Sequence, residues 1–277
     1  MNKYQYPVVL SIAGSDSGGG AGIQADIKTI SALGCYSTTV ITAITAQNTL
    51  GVNNIYPIPS EIVDAQMTAV INDISPSAIK IGMVYLREST EIIVKTLKLH
   101  SEIPVVFDPV MVSTSGANLM KGNCLSAIEK LIFPLTTLLT PNLDEARLIT
   151  GMEVKNLADM HVAASHIIDL GCNAVLIKGG HLQGNDLYDV YLDRDGRQQV
   201  FKSKAIQSNN THGTGCTLSS AIASYLALGD DLILAIEKGK DYVHQAIEHG
   251  KNIRIGKGIG PLNHFFNSSE RKKHHFS

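Results

Sequence analysis

Much of what marks a membrane, secreted or nucleic-acid-binding protein is absent from this 277-residue sequence. No segment approaches the ~18 unbroken apolar residues of a membrane-spanning helix. The N-terminal apolar run over 8–13 contains Ser11 and leads straight into Gly14-Ser15-Asp16, too short and wrongly flanked for a secretory signal. Cysteine is scarce, and Cys35, Cys124, Cys172 and Cys216 include no C-x-x-C pair. That excludes a disulfide frame or a zinc site by spacing and reads as free thiols in a reducing compartment. Neither sign of charge dominates: 23 basic against 25 acidic residues leave a net charge of −2, with no global basic field for nucleic acid or an anionic membrane. With 44% apolar and 17% charged residues the chain can build a sizeable core, which rules out wholesale disorder. The expectation is a cytoplasmic enzyme or small-molecule binder.

Short β-branched runs alternate with longer helical periods. Runs over 8–13, 38–44, 78–81, 105–107, 138–140 and 174–177 read as strands. Amphipathic stretches over 59–71, 91–99, 125–132, 158–170, 214–228 and 232–248 read as helices. Continuous apolar strands alternating with such helices predict an α/β fold with a mostly parallel sheet covered on both faces. The exception is 187–192 and 199–202 around Asp195-Gly196, which predicts a β-hairpin at one sheet edge. Nothing divides the chain, so one domain over 1–266 is expected. A polar stretch over 267–277, with Arg271, Lys272 and Lys273, reads as a disordered tail.

Ligands of open α/β sheets bind beyond the carboxyl ends of the strands, so the residues following each run carry the chemistry. The first run is followed by Gly14-Ser15-Asp16-Ser17-Gly18-Gly19-Gly20-Ala21-Gly22. These glycines either let the backbone approach a ligand ahead of a helix N-terminus or simply make a tight turn. They are not Walker A, since no Gly-Lys-Ser/Thr follows, and they fit the dinucleotide fingerprint poorly. Gly213-Thr214-Gly215-Cys216 opens a helix, where exposed N–H groups and the macrodipole suit a transferring phosphoryl group. Cys216 in that first turn is expected to have a lowered pKa and to act beside a reacting hydroxyl, or else to be a small packing residue. Asn142 and Glu145, three apart, could hold Mg²⁺ over phosphates or form a capping box. Lys178 could neutralise phosphate or be a solvated strand-end lysine. Asp108 before Pro109 could be a metal-shell carboxylate or a turn former.

Taken together, these segments resemble the ribokinase-like superfamily, and within it the hydroxymethylpyrimidine/phosphomethylpyrimidine kinases of thiamine biosynthesis. The resemblance runs from Gly14-Ser15-Asp16-Ser17 and Gly19-Gly20-Ala21-Gly22-Ile23-Gln24-Ala25-Asp26 through Ala46-Gln47-Asn48-Thr49, Lys80-Ile81-Gly82-Met83, Asp108-Pro109-Val110-Met111 and Thr140-Pro141-Asn142. It continues through Lys178-Gly179-Gly180-His181 and Thr211-His212-Gly213-Thr214-Gly215-Cys216 to Gly256-Lys257-Gly258-Ile259-Gly260-Pro261. It implies a three-layer αβα sandwich without a separate lid domain, usually dimeric, using ATP and Mg²⁺ to phosphorylate 4-amino-5-hydroxymethyl-2-methylpyrimidine twice. It implies that Gly14, Asp26, Gln47, Met83 and Val110 surround the pyrimidine. Asn142, Lys178, Thr211, Gly213 and Thr214 would bind the nucleotide, with Asp108 and Glu145 at the metal. Catalysis would fall to Cys216, Lys178, Gly213 and Gly215. Most ribokinase-like enzymes carry Asp where this chain has Cys216. That cysteine is shared by the pyrimidine kinases and some bacterial pyridoxal kinases, so a pyridoxal kinase is the alternative. A nucleotide sensor without turnover is disfavoured by the intact set of Asp108, Lys178 and Cys216. A dehydrogenase is disfavoured by the poor dinucleotide fingerprint.

Overall fold

Short apolar runs buried on both faces build the centre of the molecule. The computed structural model describes residues 4–111, 119, 124–180 and 186–275; His181, the last residue of the Lys178 motif, lies outside them. In chain order the strands are β1 (Tyr4–Gln5), β2 (Val8–Asp16), β3 (Tyr36–Asn48), β4 (Gly51–Pro57), β5 (Ala78–Ile81), β6 (Val105–Phe107), β7 (Leu138–Leu139), β8 (Ala174–Lys178), β9 (Asp186–Asp193), β10 (Gln198–Lys204) and β11 (His274–His275). The helices are α1 (Gly22–Ala32), α2 (Ser60–Ile74), α3 (Arg87–Leu99), α4 (Cys124–Leu131), α5 (Leu143–Thr150), α6 (Leu157–Asp169), α7 (Thr214–Ala227) and α8 (Leu232–Gly250).

Nine strands form one sheet in the order β10-β9-β8-β7-β6-β5-β2-β3-β4. The pairings from β3 through β2, β5, β6 and β7 to β8 are parallel, while β4, β9 and β10 run antiparallel to their neighbours. Successive strand residues face opposite sides. Leu10, Ile12, Ile79, Ile81 and Phe107 therefore pack with the helices α2 to α6. Val9, Ala78, Val106 and Leu176 pack with α1, α7 and α8. Each fully buried Val, Leu, Ile or Phe side chain among them contributes about 1.5–3 kcal/mol of transfer free energy, and the result is the expected three-layer sandwich.

The hairpin around Asp195-Gly196 is present as β9 and β10, with Gly196 at φ 84°. A second antiparallel excursion, β4 on the opposite edge, has no counterpart in the sequence reading. There the 38–44 run extends to Asn48, whose side chain accepts from Leu50 N at 2.8 Å and turns the chain back. The expected disordered tail is instead laid against the body over 267–275. Ser269 N donates to Ala32 O at 2.7 Å, Lys272 N to Gly34 O at 2.9 Å, and β11 pairs with β1. The Arg271 guanidinium lies 5.3 Å from the ring centres of both Tyr6 and Tyr36. This cation–π contact gives a polar segment a partner that composition does not show.

The chain departs from β2 to β3 on one side and to β5 on the other. The crevice at that reversal is where open α/β sheets receive ligands.

Candidate active site

A cleft of about 640 Å³ opens along the carboxyl ends of the parallel strands. Gly14 and Gln47 lie near the ends of β2 and β3, Met83 follows β5, and Asp108 and Val110 follow β6. Asn142 follows β7, and Lys178 ends β8. All of them line the cleft, as do Glu145, Thr211, Gly213, Thr214, Gly215 and Cys216. Of the fourteen expected site residues only Asp26 is not on the wall.

The start of α7 closes over the charged centre. Gly213 precedes it at φ 87°, and a Cβ there would lie 1.8 Å from Gly20 O. Only glycine fits, because the two glycine loops pack backbone on backbone. At Gly215 a Cβ would lie 3.2 Å from Asp108 Oδ2 and 3.3 Å from Lys178 Nζ. The first-turn N–H groups, which lack intrahelical partners, thus border an acid–lysine pair.

That pair is Lys178 Nζ donating to Asp108 Oδ1 at 2.8 Å; Asp108 also accepts from Thr140 Oγ1 at 3.2 Å. Burial alone would lower the Lys178 pKa, but Asp108 and Glu145 outweigh it and hold it above the usual lysine value. Glu145 is 5% exposed. Burial, helped by Asp108 and opposed by Lys178, pushes its carboxyl up to about 7. The capping box is complete, with Asn142 Oδ1 accepting from Glu145 N at 2.9 Å and Glu145 Oε2 accepting from Asn142 N at 2.8 Å. Capping and cleft lining are therefore not alternatives, since the box fixes the Glu145 carboxylate beside Asp108 and Lys178.

One residue lies deeper than expected, and one expectation is corrected. Asp26 is wholly buried beneath the cleft, its carboxylate bound by Lys80 Nζ at 2.9 Å, Ser11 Oγ at 2.6 Å and Ser220 Oγ at 2.7 Å. It lies behind the wall, held by these three partners. The Cys216 thiol is not lowered. Burial raises it to about 11, with Asp26 and Asp108 adding to the rise and Lys80 and the Gly22 backbone N–H opposing it. Desolvation here exceeds the helix-start effect.

The structure also adds residues. Lys80, fully buried in β5, reaches the cleft floor. Its ammonium, disfavoured by burial, is held above the usual lysine value by Asp26, Cys216 and Asp108. A lysine inside the apolar run 78–81 is the signal that could have revealed it. Asp16 organises the glycine loop: Oδ1 accepts from Gly18 N at 2.8 Å, and Oδ2 from Gly20 N at 3.0 Å and Ala21 N at 2.8 Å. His212 Nε2 reaches Asp16 Oδ2 at 2.9 Å and so ties this loop to the one before α7. Burial would raise Asp16, but His212 and the loop amides hold it below the usual carboxylate range. Beyond Lys178 the cleft continues past Asp189, paired with Lys240, to the apolar side chains of Ile206, Val243 and Ile247.

A family model described as phosphomethylpyrimidine kinase matches residues 16–263. A hydroxymethylpyrimidine/phosphomethylpyrimidine kinase of Rhizobium meliloti is 49% identical over 93% of this chain and 97% of that protein. The crystal structure of a phosphomethylpyrimidine kinase from Clostridium difficile has a TM-score of 0.77 at 44% identity, over 87% of this chain and 99% of that one. An ADP complex of Bacillus subtilis pyridoxal kinase has a TM-score of 0.85 at 35% identity, over 94% and 98% of the two chains. Backbone similarity thus extends to both kinds of vitamin kinase, whereas sequence identity is higher to the pyrimidine kinases.

Proposed function

The chain belongs to the phosphomethylpyrimidine kinase family, and from that premise we propose that it uses ATP to phosphorylate 4-amino-5-hydroxymethyl-2-methylpyrimidine to its monophosphate and then to its diphosphate. One observation carries the reading. The backbone at the start of α7 borders the Asp108–Lys178 pair, with Gly215 leaving 3.2 Å and 3.3 Å between a Cβ position and those two side chains. Phosphoryl transfer needs in-line positioning and neutralisation of spreading charge, and little covalent chemistry. Amides, lysine and carboxylates supply that at the centre of the cleft, with room for a flat acceptor on one side and an apolar base on the other.

In this reading Gly14, Gln47, Met83 and Val110 hold the pyrimidine, Gln47 through hydrogen bonds from its side-chain amide to the nitrogen edge. Asn142, Lys178, Thr211, Gly213 and Thr214 hold the nucleotide phosphates. The donor set fits Mg²⁺: Asp108 and Glu145 bring two buried carboxylates against one lysine. Mg²⁺ at kinase sites is commonly held by one or two carboxylates together with substrate phosphates. Bound there, Mg²⁺ would neutralise phosphate charge. Lys178 and the α7 amides stabilise the charge on the transferring group. The thiolate form of Cys216 takes the proton of the neutral hydroxymethyl group in the first transfer and becomes the thiol. The second acceptor is a phosphate, already anionic near neutral pH, and needs no base.

A homodimer working in the cytoplasm completes the proposal. Ile44 and Tyr56, cross-strand partners on the β3–β4 edge, are both exposed and offer an apolar self-association face. Among the described residues no helix is long and apolar enough to cross a membrane. The test is product identity with purified protein and Mg·ATP. Monophosphate followed by diphosphate is expected from the pyrimidine, and diphosphate alone from added monophosphate. Turnover of pyridoxal without turnover of the pyrimidine would overturn the reading.

A further inference from the structure

Lys80 is among the largest side chains wholly excluded from solvent, yet it lines the cleft floor. Residues 80 and 82 face the same side of the sheet, and a Cβ on Gly82 would stand 2.8 Å from Lys80 Nζ. Gly82 comes directly after β5, so the lysine stem runs toward the carboxyl end of its strand. Its ammonium sits over a glycine whose missing side chain leaves it room. An ammonium has three hydrogens to give. Asp26 Oδ1 and Oδ2, each 2.9 Å from Nζ, take two of them. The third has no acceptor among the described residues.

Asp26 carries the link across to α7. Its Oδ1 also accepts from Ser220 Oγ at 2.7 Å, and Ser220 stands four residues after Cys216 in that helix. Side chains four apart share a helix face. Cys216 therefore lies one turn nearer the start of α7, on the face that meets Asp26 and Lys80, and it too lines the cleft. The charged groups around the thiol are Lys80, Asp26, Asp108 and Lys178. After burial, which disfavours the thiolate, Lys80 acts on it most strongly, and in the thiolate's favour. Lys178 is committed elsewhere, its Nζ donating to Asp108 Oδ1 at 2.8 Å. Lys80 is the cation left to the sulfur.

We propose that Lys80 is a positioning residue for the first transfer, its ammonium holding Cys216 as the thiolate at the cleft floor while Asp26 keeps the ammonium in place. The inference rests on Cys216 serving as the base. In that step the hydroxyl hydrogen passes to Sγ as the oxygen's electron pair forms the bond to the γ-phosphorus. The bond from that phosphorus to the ADP oxygen breaks, and ADP leaves with those electrons. Lys80 keeps its protons throughout, and the thiol returns its own to solvent before the next turnover. A buried, fixed ammonium suits this task, because attraction between charges is stronger away from water and needs no reorganisation. A pair that only filled the core would need no charge, since hydrophobic replacement of a buried ion pair is often as stable.

The test is the rate at which iodoacetamide alkylates Cys216 at pH 8, followed by peptide mass spectrometry, in wild-type protein, Lys80→Met and Lys80→Met/Asp26→Asn. Alkylation follows the thiolate fraction. Loss of the cation is expected to slow it about ten-fold in Lys80→Met, as a neighbouring charge shifts a pKa by about one unit or more. The double variant also removes the opposing carboxylate, so it is expected to stay folded where the single variant does not. Labelling there is expected to be about three-fold slower than in the wild type, because Lys80 outweighs Asp26. Loosened packing has the opposite sign, since it exposes the thiol and speeds labelling. Unchanged or faster labelling in the folded double variant would overturn the proposal. Single-turnover assays keep this apart from the reading beneath it: the first transfer is expected to slow along with labelling, and the second far less. Slower labelling with both transfers slowed equally would instead overturn the assignment of Cys216 as base.

Discussion

Lys80 and Asp26 form an ion pair at 2.9 Å with both side chains wholly excluded from solvent, directly beneath the cleft. Two desolvated charges offset each other only while both are present. Lys80→Met is therefore expected to destabilise the protein by about 3–5 kcal/mol, as removal of one partner of a buried pair does. Adding Asp26→Asn should recover part of the loss, because the orphaned carboxylate is then neutral. Urea denaturation of both variants measures this. A single variant as stable as the wild type would show that the pair does not brace the cleft.

Cys216 carries the difference between the two transfers. Cys216→Ala is expected to slow transfer to the hydroxymethyl group by about 100-fold, within the range of a lost general base, and to leave transfer to the monophosphate little changed. With the thiol raised to about 11, the thiolate fraction grows as pH rises toward that value. The first transfer should accelerate across the alkaline range in the wild type and not in the variant. Single-turnover assays of each step measure both effects, and equal losses in the two steps would remove Cys216 from the role of base.

Gly215→Ala tests the crowding at the charged centre. The new methyl would stand 3.2 Å from Asp108 Oδ2 and 3.3 Å from Lys178 Nζ, so one or both must shift by a few tenths of an ångström. The expected result is a folded protein with kcat reduced roughly 10- to 100-fold, since small misplacements of phosphoryl-positioning groups are costly. Unchanged turnover would place the reacting phosphate elsewhere.

Glu145 should oppose stability and serve activity. Its folded-state pKa is raised from 4.5 to about 7, so the stability it contributes is complete below pH 4.5 and is lost as pH rises through about 7. Glu145→Gln keeps the accepting oxygen of the capping box and removes the buried charge. It is expected to stabilise the ligand-free protein by about 2 kcal/mol at pH 8, a gain that shrinks toward zero below pH 5. The same variant should lose most of its Mg²⁺-dependent turnover. Thermal unfolding at the two pH values checks the sign, and a gain at pH 5 larger than at pH 8 would contradict it.

Much of this was legible without coordinates. The continuous runs at 8–13 and 78–81 require a sheet covered on both faces, and the segments after the strands converge on one rim because parallel strands all end there. What stayed hidden depended on partners distant in sequence. The enclosure of Asp26 by Lys80, Ser11 and Ser220 joins three separate segments of the chain. Cys216 reads as an activated thiol until its burial is weighed against the start of α7. The β4 edge and the docking of Arg271 between Tyr6 and Tyr36 follow from contacts that no local pattern encodes. The His212–Asp16 bond joins residues 196 positions apart.

The most direct measurement is the amount of ADP released per pyrimidine consumed, with excess Mg·ATP and limiting 4-amino-5-hydroxymethyl-2-methylpyrimidine. Two successive acceptors handled by one cleft require a ratio of about two, because each transfer releases one ADP. A ratio of about one, with the monophosphate accumulating, would contradict the two-step account and leave a single-step vitamin kinase.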